Sequence, residues 1–84
     1  MLHLVATSDQ IAQLLAAGRH QAGLTQAQAA ARIGVSQSRI SALETDASAL
    51  TLTQLLALCG AYGLQLQVRD KNQPAPEPAP LVEW

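Results

Sequence analysis

Short polar side chains crowd one stretch of this chain: Ser36, Gln37 and Ser38 in a row, with Ser41 one helical turn on. A glutamine amide can bond N6 and N7 of adenine together, and a serine hydroxyl can donate to or accept from most base edges. Such groups read a surface and transform nothing. Others nearby could hold a polyanion at its phosphates, namely Arg32, Arg39, Thr45, the upstream Arg19 and Gln26. Gln26 would open a helix, where free backbone N–H groups also meet phosphate, and its amide could instead brace Gln37. The bland reading is an exposed helix face that meets only water. The agreement of the surrounding elements argues against it.

Those elements follow from caps and periods. Thr25-x-x-Gln28 is a capping box opening a helix over residues 26–33, with Ala29, Ala30 and Ile33 on one face. Small side chains there let a neighbouring helix come close. Gly34 can take the positive φ that ends a helix, and Ser36 is a good N-cap, so the turn is short. The next helix spans 37–45. Ile40 and Leu43 point inward; Gln37, Ser38, Ser41, Ala42 and Thr45 take the opposite arc, with Arg39 and Glu44 on the flanks. Two short helices joined through a glycine turn make a helix-turn-helix, whose second helix suits a major groove.

Upstream, Thr7-Ser8-Asp9-Gln10 offers a box for a helix over 8–22 with the stripe Ile11, Leu14, Leu15, Gly18 and Ala22, stopped at Gly23. Downstream, 46–50 reads as a loop. Thr51-x-x-Gln54 opens a last helix ending at Gly63, with Leu52, Leu55, Leu56, Leu58 and Cys59 inward. Apolar over most of its circumference, it is expected to be the most buried element.

The period then changes. Residues 64–69, Leu-Gln-Leu-Gln-Val-Arg, alternate as a half-buried strand does. A strand needs a partner for its backbone groups, either residues 1–6 or the same strand of a second copy. The second is favoured, because it adds burial that a small chain lacks and yields a twofold dimer with Leu64, Leu66 and Val68 in its core. Prolines at 74, 76, 78 and 80 make the following stretch an extended spacer. It ends in Leu81, Val82 and Trp84, which suit a short anchor in a pocket of another protein. The expected architecture is all-α, four to five helices with one C-terminal strand over 1–70, then a tail over 71–84.

Composition excludes more than it selects. A net charge of −1 is not that of an electrostatic nucleic-acid binder. Over 1–63, Arg19, Arg32 and Arg39 are balanced by Asp9, Glu44 and Asp46, so few phosphates can be neutralised and salt dependence should be shallow. The single cysteine, Cys59, rules out an internal disulfide and paired-cysteine zinc. His3 and His20 lie far apart without a carboxylate at motif spacing, and no glycine-rich phosphate loop occurs. No catalysis, metal or cofactor is expected. No apolar run approaches the roughly 18 residues of a membrane span, and the start lacks a basic leader, so a cytoplasmic, nucleoid-associated protein is expected.

The residues Gln26, Ala30, Gly34-Val35-Ser36, Ile40-Ser41 and Glu44 resemble the lambda-repressor/Cro-type (XRE) family of helix-turn-helix regulators, over 8–62. Ala29 stands where that family often has leucine, and Asp46 where it often has glycine. A narrower resemblance rests on Thr51-Leu52-Thr53, the strand ending Arg69-Asp70, and the close Leu81-Val82-Glu83-Trp84, which are similar to HipB-type antitoxins. That resemblance implies a homodimer with an intermolecular β-ribbon, palindromic operator DNA, repression of its own operon and a complex with a HipA-like Ser/Thr kinase toxin. It also implies Gln37, Ser38 and Ser41 as base readers beside Ser36, and Trp84 as the residue entering the toxin. A stand-alone or phage-type repressor with an idle tail is the alternative; an adaptor that has lost DNA binding is a third.

Overall fold

A computed structural model describes residues 4–70 and Asn72, which form α1 (Ser8–Gln21), α2 (Gln26–Ile33), α3 (Gln37–Thr45), a 3-10 turn (Ala47–Ala49) and α4 (Leu52–Tyr62). The all-α class and the helix starts agree with the sequence reading. All three Thr-x-x-Gln boxes close in both directions, each threonine hydroxyl accepting the glutamine N–H and each glutamine side chain reaching back to the cap. They satisfy N–H groups that a helix start otherwise leaves without partners.

Leu15, Ile40, Leu43 and Leu58 are fully buried and meet Ala29, Ala30 and Tyr62 at the centre. Each such leucine or isoleucine contributes about 1.5–3 kcal/mol on burial. Ala29 and Ala30 give α2 almost no side-chain thickness, so Ile40 and Leu43 of α3 seat close against it. Gly34 has φ +74°, a conformation costly for any residue with a Cβ, and turns the chain from α2 into α3.

Three expectations are corrected. On α1 the inward face is Ala12, Leu15, Gly18 and Arg19, with Ile11 and Leu14 half-buried and Ala22 exposed. Ala22 is already the cap, so the stripe closes on Arg19 instead. The loop over 46–50 is a 3-10 turn whose N-cap Asp46 accepts from Ser48 N–H at 2.9 Å. On α4 the buried residues are Leu58, Cys59 and Tyr62, while Leu52 is 66% exposed and Leu56 half so. A helix apolar nearly all round can turn only one side to three others, and the remainder awaits another surface.

Among the described residues no β-ladder occurs, and neither residues 4–6 nor any other described segment pairs with 64–69. Leu64, expected in a dimer core, is half-buried against its own chain. Its N–H donates to the Cys59 carbonyl at 2.8 Å, closing α4, and its side chain packs onto the chain's own core. There it lies so near Gly18 that a Cβ at that glycine would stand 3.0 Å from Leu64 Cδ1. Leu66 and Val68 are exposed, Val68 at 93%. Lys71 and residues 73–84, with Leu81, Val82 and Trp84, lie outside the described residues, as do residues 1–3.

Candidate nucleic-acid interface

Helix α3 is built to show one side. Ser36 caps it, its Oγ accepting from Arg39 N–H at 3.1 Å. Ile40 and Leu43 fix the opposite face in the core at 1% exposure each, which rotates Gln37, Ser38, Ser41, Ala42 and Thr45 outward. Ser36 Oγ and Ser38 Oγ lie 3.1 Å apart and share a hydrogen bond, so the start of the helix carries a linked pair of hydroxyls beside the Gln37 amide. No side chain of the described residues hydrogen-bonds the amide of Gln37. The structure therefore places the four expected readers, Ser36, Gln37, Ser38 and Ser41, on exposed positions of one helix and its cap.

The expected phosphate contacts fare differently. Arg32 is exposed in the last turn of α2. Arg19 is not available: it is 8% exposed, and its Nε and Nη2 donate to Glu44 Oε2 and Oε1 at 2.7 and 3.1 Å. Its Nη1 also donates to the Leu24 carbonyl at 2.9 Å. Desolvation works against the charge, but the Glu44 hydrogen bond outweighs it and holds the Arg19 pKa above its ordinary value. Gln26 does not brace Gln37; its Nε2 donates to Glu44 Oε1 at 3.3 Å. Thr45 donates its hydroxyl to the Ser41 carbonyl at 3.1 Å, so it meets a phosphate only by rotating away. Arg39 is half-buried, with Nη2 donating to the Ala49 carbonyl and to Gln54 Oε1, both at 3.0 Å.

The centre that sequence reasoning missed is Glu44. Its carboxylate gathers α1 through Arg19 and the start of α2 through Gln26, and it belongs to α3. A signal was present: Arg19 falls four residues after Leu15 and seven after Ala12, on an apolar stripe where a cation needs a partner. Among the described residues every buried polar side-chain atom has a hydrogen-bond partner. Electrostatically the pair cancels, leaving Arg32 as the exposed cation of the two central helices and Arg39 on their flank.

The helix-turn-helix domain model matches residues 10–71. The chain belongs to the helix-turn-helix domain family. No curated protein matches it. Among solved structures, this helix-turn-helix chain is similar to HipB in three settings. A HipB variant in complex with an O2 20mer is 28% identical, with TM-score 0.76, covering 86% of this chain and 100% of that one. HipB in a HipA–HipB–O2–O3 complex and in an O4 20mer complex is 27% identical in each, with TM-score 0.75, covering 84% of this chain and 100% of those. The likeness to XRE-type helix-turn-helix proteins, read from the residues of α2 and α3, and the likeness to HipB, read from the start of α4 and the C-terminal stretch, thus hold for the fold over most of the chain. No group of three metal-ligating side chains occurs among the described residues, and no described helix is long and apolar enough to cross a membrane.

Proposed function

We propose that this protein is a dimeric repressor that reads palindromic operator DNA with α3 and acts as the antitoxin of a HipA-like Ser/Thr kinase toxin. The observation that carries the reading is the exposed arc of α3. Gln37, Ser38 and Ser41 are exposed on a helix whose opposite face is locked in the core and whose far end is tied down by Glu44. Gln37 reads adenine, the serines read neighbouring edges, and Arg32 and the N-terminus of α2 meet phosphates. Two copies join through Leu66 and Val68 and the exposed Leu52 and Leu56, which set two recognition helices one half-site apart. The toxin arm of the reading is supported by the likeness to HipB, one of whose structures is a complex with HipA.

The test has two arms. Duplexes selected by the protein from a random pool should contain an inverted repeat; a pool that stays random removes the repressor. Full-length protein should retain a HipA-like kinase on an affinity column, and protein lacking residues 81–84 should retain less, since a tryptophan anchor buries about 150–250 Å². Operator selection without kinase retention leaves the stand-alone repressor as the function.

A further inference from the structure

Arg39 sits in the first turn of α3, two residues from Gln37, yet its side chain turns away from the reading arc. Nη2 meets the Ala49 carbonyl, which ends the 3-10 turn, and Gln54 Oε1 on α4. The same Oε1 accepts from Thr51 N–H at 3.3 Å to close the α4 capping box, while Gln54 N–H donates to Thr51 Oγ1 at 3.1 Å. One amide oxygen therefore serves both the start of α4 and the flank of α3. A neutral acceptor suits that place, because a carboxylate there would add negative charge beside a helix that approaches phosphates.

We propose that Arg39 is a positioning residue for operator reading, holding the first turn of α3 against α4 through Gln54 and Ala49 rather than neutralising a phosphate. The proposal rests on the reading of α3 as a DNA-recognition helix. Glu44 ties the far end of that helix to α1 and α2, and Arg39 ties the near end to α4. Two polar tethers at opposite ends fix the tilt that a pair of core side chains, Ile40 and Leu43, leaves adjustable. Base readout needs side chains held to within about 0.5 Å, so a helix tied at one end only loses discrimination before it loses its fold. Because α4 also carries the exposed Leu52 and Leu56, the tether links the face that meets a second copy to the residues that read bases.

The experiment compares wild type, Arg39→Met, Gln54→Met and the double variant on a duplex selected by the wild-type protein and on a scrambled duplex, across a salt series. Each single change should weaken binding to the selected duplex about tenfold, and the double change no further, since Gln54 has no arginine left to hold once Arg39 is replaced. Scrambled binding and the salt slope should stay as in wild type. Thr51→Val removes the other half of the capping box and spares the arginine, so it should bind normally. A phosphate role predicts instead that Arg39→Met flattens the slope by about two ions per dimer and weakens scrambled binding, with Gln54→Met silent. That result, an additive loss of about a hundredfold in the double variant, or an equal loss in Thr51→Val overturns the proposal. Should wild type select no duplex, amide exchange at Ile40–Leu43 still decides the tether: faster exchange in Gln54→Met upholds it, and unchanged exchange removes it.

Discussion

Arg19 Nε lies 2.7 Å from Glu44 Oε2 with both side chains about nine-tenths buried, so the last turn of α1 is bound to the last turn of α3 by a charge pair inside the body. The guanidinium forks, its Nη2 reaching Glu44 Oε1 at 3.1 Å, which gives the pair a direction as well as an attraction. Leu24 and Gln26 complete the ring from the turn before α2 and from its first residue. The recognition helix is thus placed by a polar network in addition to Ile40 and Leu43.

Removing one partner should be far worse than removing both. Glu44→Ala leaves the Arg19 charge buried without a counterion and should lower stability by about 3–5 kcal/mol. Arg19→Met with Glu44→Leu fills the site with apolar groups of similar volume and should fall within about 1 kcal/mol of wild type. Urea unfolding followed by helical circular dichroism measures both. A loss below about 1 kcal/mol for Glu44→Ala would mean the pair behaves as a solvated surface contact.

Gln37→Ala should weaken binding to the selected operator by about 1–3 kcal/mol and relax preference at a single base position, leaving scrambled duplex binding unchanged. Fluorescence anisotropy on both duplexes reads it. Equal losses on the two would move Gln37 from base reader to backbone contact.

The two central helices were legible because their signals are local. A Thr-x-x-Gln box, Gly34, the Ser36 cap and the pair Ile40 and Leu43 each act within a few residues, and each stands where it was expected. What could not be read depends on separations along the chain. Arg19 and Glu44 are twenty-five residues apart, and only the packing of α1 on α3 shows that the arginine is paired inside the body. Arg39 looks like a free flank cation until Ala49 and Gln54 are brought to it. Leu52 and Leu56 read as core because hydrophobicity marks a need for burial without saying against what.

With Arg19 internal, Arg32 is the exposed cation of the reading surface, and Arg39 adds to it only if its tether opens. The logarithm of operator affinity should therefore fall against the logarithm of salt with a slope of roughly −2, and no steeper than about −4, for a dimer. A series of anisotropy titrations in rising potassium chloride gives this slope. A value near −10 would require phosphate contacts that these helices do not present.

Tyr62 is the only tyrosine and is 7% exposed, so its tyrosinate absorbance reports one site. Burial, and then the Glu44 charge, push its pKa up, with Arg19 pulling the other way. The folded state holds the phenol proton more tightly than the unfolded chain. Its contribution to stability is complete below the unfolded value of about 10 and is lost as pH rises through the higher folded value. Native protein should titrate later than protein in urea, and Glu44→Gln should bring the native curve earlier by removing a raising charge. Coincident native and unfolded curves would place the ring in water.

Leu66 and Val68 face outward in the single chain, and Leu52 and Leu56 do the same on α4, so these four side chains offer apolar surface to a second copy. Leu66→Asp puts a charge on that surface and should yield monomers that still fold, because Leu66 lies outside the buried core. Operator binding should fall steeply, since a lone monomer contacts one half-site with few cations. Leu64→Asp should behave differently and unfold the monomer as well, because Leu64 packs beside Gly18 and Tyr62. Light scattering gives the mass and circular dichroism the fold of each variant. Leu66→Asp remaining a dimer would put the contact between copies elsewhere, whereas equal unfolding of both variants would mean that residues 64–66 belong to the monomer's core as a unit.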